Sequence, residues 1–160
     1  MYLVLVTLGL CVAYVGLLFL FPMFFEQTRA SVTKKSFHSI AIIVLGSLAG
    51  YAVALSIPNL EIGNRVLHGF GGGFMGFLVC YLAAKDSGLQ VNRVQFFLLS
   101  ALVVTALGVG NELLELFLHY VVGFVFAKSP NDTGLDLLSN TVGILIAAAC
   151  LVPRIGKKDS

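Results

Sequence analysis

Residues 94–127 read VQFFLLSALVVTALGVGNELLELFLHYVVGFVFA, an apolar run in which Glu112 and Glu115 are the only charges. As one straight helix it would be about 50 Å long at about 1.5 Å per residue, well beyond a hydrocarbon core about 30 Å thick. Something must bend or break it. Gly108 and Gly110 offer a bend, but Gly123 is better placed. It predicts a spanning helix over 94–119, then a short interfacial or re-entrant piece from Tyr120 to Ala127.

Outward from this run, four simpler apolar segments lie at 2–25, 37–57, 66–84 and 135–152, bounded by Glu26, Pro58-Asn59, Lys85-Asp86 and Pro153-Arg154. Each has the length of about 20 residues that a spanning helix needs. The expected fold is all-α: a polytopic membrane helix bundle with about five transmembrane helices, forming one integral membrane domain over 1–160. No internal repeat and no soluble domain is visible. The first segment has no basic flank and no small-residue cleavage site, so it is expected to be a retained span.

Composition points the same way. With 58% hydrophobic residues, 11% charged and a mean hydropathy of +0.97, the chain has more apolar surface than a soluble core of this length can bury. The lipid bilayer is its expected partner. A net charge of +2 without a basic stripe excludes a nucleic-acid footprint. Cys11, Cys80 and Cys150 each sit inside an apolar run and are expected to be small hydrophobes, not a disulfide or metal framework.

Lysine and arginine set the expected orientation, because cytoplasmic loops are enriched in them. Arg29, Lys34, Lys35, Lys85, Arg93, Arg154, Lys157 and Lys158 fall on one side of a five-span layout, and Arg65 and Lys128 on the other. The expected localisation is a multi-pass cell-membrane protein with its N-terminus outside and its C-terminus cytoplasmic.

Counted from Val94, Glu112 lies about 27 Å and Glu115 about 32 Å along the fourth span, in its outer third. His119 follows one turn later, and the i, i+3, i+7 spacing places the three on one helix face beside Asn111. Two like charges near lipid must share a proton, bind a cation or face a cationic partner. On the fifth span Asp132, Asp136 and Asn140 form an i, i+4, i+8 stripe continued by Gly143. Asp132 equally suits the first turn of that helix as a cap.

The outer end of span three adds Arg65 and His68. The glycines that follow give Gly72-x-x-x-Gly76, a spacing for close helix packing and not for phosphate. His38 is expected to be an interfacial residue. No serine, cysteine or zincin protease motif is present.

The ordered pattern Arg65-x-x-His68, Asn111-Glu112-x-x-Glu115 and Asn131-Asp132-x-x-x-Asp136-x-x-x-Asn140-x-x-Gly143 resembles the VanZ-like family and the related YjdF-type membrane proteins. The likeness covers roughly residues 64–146. Glu115 stands where the VanZ-like pattern usually has glutamine, and Lys128 ends a connection where that pattern often has an arginine. The resemblance implies a cell-envelope role of the glycopeptide-resistance type.

The expected site is outward-facing, with His68, Glu112, Glu115 and Asp136 carrying any catalysis and Arg65, Asn111, Asn140 and His119 binding substrate. A metal would be held by Glu112, Glu115, Asp132 and Asp136, the cation being Mg²⁺ or Mn²⁺. Its partner would be a cation or a lipid-linked or amphiphilic envelope molecule. The concrete chemistry would be metal-assisted hydrolysis or transfer on a lipid-linked phosphate, with His68 as acid and base. The rival expectation is a non-enzymatic membrane subunit or a small proton- or cation-coupled transporter.

Overall fold

The computed structural model describes residues 2–27, 31–123 and 130–156. Among them every regular element is helical. The chain runs as α1 (Tyr2–Phe24), α2 (Lys34–Ser56), α3 (Leu60–Leu67), a π-helical stretch (His68–Phe74), α4 (Met75–Asp86), α5 (Arg93–Phe117), a π turn (Leu118–Val122), α6 (Pro130–Leu151) and a closing 3-10 turn (Val152–Arg154). The third span is continuous through α3, the π stretch and α4, so five helices are long and apolar enough to cross a membrane. Arg29, Lys128, Lys157 and Lys158 lie outside the described residues, as does 124–127 of the expected interfacial piece.

α2, the third span and α5 each start before the oily segment that announces them, because caps set their first turns. The side chain of Asn59 accepts from Glu61 N at 3.0 Å and Ile62 N at 3.1 Å, which starts the third span six residues before its apolar run. Asn92 and Gln95 satisfy each other's backbone N–H at the start of α5, at 2.9 and 3.1 Å, a reciprocal cap that closes two orphan donors. At the far end of that span residues 120–122 continue the helix instead of leaving it. Gly123, at φ 79°, ends it in the left-handed region.

The core lies where α1, α2, α4, α5 and α6 meet. Tyr14, Phe21, Ile43, Met75, Phe77, Val79, Cys80 and Phe96 are fully buried there, with Phe77 and Phe96 edge to face at 5.6 Å. Leu5, Leu8, Val12, Leu45, Leu98, Leu102 and Leu145 point outward instead, as a lipid-facing surface requires.

The closest backbone approach is between the π stretch and α6. A Cβ built on Gly143 would stand 1.8 Å from the Gly69 carbonyl oxygen, and one on Gly73 would stand 2.2 Å from that of Asn140. Small residues let helices meet backbone to backbone where lipid supplies no hydrophobic drive. Gly76, expected at a helix contact, faces Val104 of α5.

Candidate functional site

Asn64 and Arg65 share the last turn of α3 and His68 follows at the start of the π stretch, and the Gly69–Gly143 contact draws them against the first turns of α6. Arg65 is the hub. Its guanidinium pairs with the carboxylates of Asp132 and Asp136 and donates to the Asp132 carbonyl at 3.1 Å. Glu61, one turn before it, stands 3.8 Å away at the exposed rim. Asn64 Nδ2 donates to Asp136 Oδ1 at 3.2 Å. Two aspartates on one face of α6 are thus bound to one arginine on α3, the planar fork suited to such a pair.

His68 stands between this cluster and α5. Its Nε2 is 3.6 Å from Asp136 Oδ1 and its Nδ1 is 3.8 Å from Glu112 Oε1. Glu115, the next acid on α5, accepts from Asn111 Nδ2 at 2.8 Å. His68, Glu112 and Glu115 each offer a ligand atom, and these atoms lie within 4.8 Å of one another. Glu112 is 3% exposed and His68 7%, so this is an interior group, not a rim of solvated acids.

Several polar atoms at this end of the bundle lack hydrogen-bond partners among the described residues. They are Glu112 Oε1, His119 Nδ1, Thr133 Oγ1 and Asn140 Oδ1. Native interiors leave few such atoms unpaired without water or an ion. Asn140 sits one turn deeper than Asp136, where glycines make room for it: a Cβ on Gly72 would lie 2.3 Å from its Oδ1, and one on Gly108 3.2 Å from its Nδ2. Beneath it Val104, Met75, Phe77, Cys80 and Phe96 pack with one buried hydroxyl, that of Ser100, among them.

The structure therefore brings His68, Glu112, Glu115 and Asp136 together, with Asn111 and Arg65 touching the same cluster and Asn140 one turn below Asp136 among Gly72, Gly73 and Gly108. It divides the four acids considered as metal ligands. Asp132 and Asp136 belong to Arg65, while Glu112 and Glu115 belong to the group with His68. His119 is apart from that group and packs edge to face on Tyr120 at 5.1 Å. Asn64 and Thr133 are additions. Asn64 lies four residues before His68 on the same helix face, which is the signal that could have found it.

The sequence profile of a family described as "Predicted membrane protein (DUF2238)" matches residues 1–157. The chain belongs to this family. Membership in DUF2238 agrees with a bundle of five candidate spans. No curated protein and no solved structure matches the chain.

Proposed function

We propose that this end of the bundle is a cation-binding site in the outer half of the membrane, which takes the charged head of a cell-envelope amphiphile or the cation that accompanies it. The VanZ-like resemblance supports the envelope setting and the glycopeptide-resistance type of role. The lysine and arginine partition supports the outward direction.

The observation that carries the reading is Glu112 Oε1. It is buried and has no hydrogen-bond donor among the described residues, in a cluster where Asp132, Asp136, Glu112 and Glu115 are set against Arg65 as the one guanidinium. Charge of one sign is not left uncompensated in a low-dielectric interior, so a cation completes the cluster.

The test is thermal melting of the full chain in detergent, with a panel of divalent cations and with an amine-headed amphiphile. A rise in melting temperature that Glu112→Gln abolishes is expected. A wild type indifferent to every addition, or a Glu112→Gln variant that responds as wild type does, overturns the reading.

A further inference from the structure

We propose that His68, Glu112 and Glu115 hold one divalent transition-metal ion, and that Asp136 is the positioning residue that turns His68 toward it. This rests on reading the cluster as a cation site and names the cation.

The donor set chooses the metal class. One imidazole and two carboxylates, with ligand atoms within 4.8 Å of one another, form a mixed nitrogen and oxygen shell. Mg²⁺ favours all-oxygen shells and sheds water reluctantly, whereas imidazole with carboxylate suits Mn²⁺, Fe²⁺ and Zn²⁺. Metal–ligand bonds of about 2.1 Å hold neighbouring donors roughly 3.4 Å apart in a tetrahedral shell. The 3.8 Å between His68 Nδ1 and Glu112 Oε1 closes to that with about half an ångström of side-chain movement. Three protein ligands leave coordination positions for water or a substrate oxygen.

The second observation is independent of the acidic cluster as such: the Glu112 oxygen that faces His68 is buried and has no hydrogen-bond partner among the described residues. Glu115 is already steadied through one oxygen by Asn111.

The two nitrogens of His68 are divided between two tasks. Nε2 lies 3.6 Å from Asp136 Oδ1 and would close to a hydrogen bond as the ring turns, so that the proton sits on Nε2 and the Nδ1 lone pair is left for the metal. Asp136 is in turn fixed by Arg65 and Asn64. The chain of contacts from Arg65 through Asp136 to His68 is the support that metal-ligating histidines ordinarily have. Arg65 also occupies Asp132, which leaves the Glu pair as the carboxylates of the shell.

The experiment uses the full chain in detergent, stripped with a chelator and dialysed against Mn²⁺, Zn²⁺ or Mg²⁺. Bound metal is counted per chain, and the paramagnetic resonance of Mn²⁺ reports nitrogen coordination. About one Mn²⁺ or Zn²⁺ per chain is expected, with Mg²⁺ at least about tenfold weaker. His68→Gln and Glu112→Gln should lose the metal while eluting as wild type does. Asp136→Asn should keep the site but bind about 10–100-fold more weakly. If that variant aggregates, the pair Arg65→Gln with Asp136→Asn removes the ion pair as a unit and is measured instead.

A wild type that binds no metal, or a His68→Gln variant that binds it undiminished, overturns the metal centre. If cations or an amine-headed amphiphile still stabilise the protein through Glu112 in that case, the cation-site reading stands without the metal. If they do not, both fall.

Discussion

Gly143 of α6 and Gly69 of the π stretch meet so closely that a Cβ on Gly143 would lie 1.8 Å from the Gly69 carbonyl oxygen. That contact seats the Asp136 turn of the last helix against Arg65 and His68. Gly143→Ala should separate the two helices and lower detergent thermal stability by about 1–3 kcal/mol or more. Gly71→Ala, in the same stretch with no atom within 4 Å of its Cβ position, is the control. Equal melting temperatures for the two variants would contradict the close approach.

Arg65 holds two aspartates from a side chain that is 18% exposed. Arg65→Gln leaves both acids without their cation and should destabilise the protein by about 3–5 kcal/mol. Arg65→Lys should recover only part of this, because a lysine presents a point charge where a fork is needed. Chemical denaturation of the three proteins in detergent measures the order, and an Arg65→Gln variant as stable as wild type excludes the hub.

Glu112 and Asp136 should respond in opposite directions to neutral isosteres. Glu112→Gln removes a buried charge whose Oε1 has no hydrogen-bond donor among the described residues and should keep or raise stability in the absence of cations, by up to about 1–3 kcal/mol. Asp136→Asn removes the partner of Arg65 and Asn64 and should lower it. Melting curves in chelator decide this. Parallel losses in the two variants would mean that Glu112 is a structural hydrogen-bonding residue.

A separate polar knot fastens the other end of the bundle. Asp86 Oδ2 accepts from Tyr14 Oη and from Ser39 Oγ, each at 2.6 Å. Tyr14→Phe keeps the fully buried ring and loses only the hydroxyl, which should cost about 1–2 kcal/mol. Ser39→Ala should cost a similar amount, and the double variant should depart from the sum because both donors share one oxygen. Strict additivity would show that the two bonds do not communicate.

The basic residues predict an outside N-terminus and a cytoplasmic C-terminus. Reporter fusions after Asn59 and after Ser160 should read external and cytoplasmic respectively. The reverse pair of results inverts the topology and turns the proposed site toward the cytoplasm.

The helix count and the convergence of acids were legible because both are local. Apolar length needs no partner to be read, and Asp132, Asp136 and Asn140 declare a common face by spacing alone. What escaped was pairing across the chain. Nothing in the sequence says that Arg65 takes up acids 67 and 71 residues further on, and that pairing gives Asp136 a partner that Glu112 does not share. The early start of the third span escaped for another reason. Glu61, Asn64 and Arg65 depress hydropathy where Asn59 has already begun a helix. Gly69 and Gly143 were visible as glycines, but only coordinates reveal which backbone each one admits.

The bond from Tyr14 to Asp86 joins residues 72 positions apart, and it bears on how the chain is built. The first helix leaves the ribosome long before its acceptor exists. It must wait in the bilayer as an independent, oily span with the Tyr14 hydroxyl unanswered until the third has been threaded. Arg65 waits longer still, since both of its aspartates arrive with the last helix. During synthesis its cationic head must stay hydrated at the membrane surface, and the docking of the final span is the event that draws it inward.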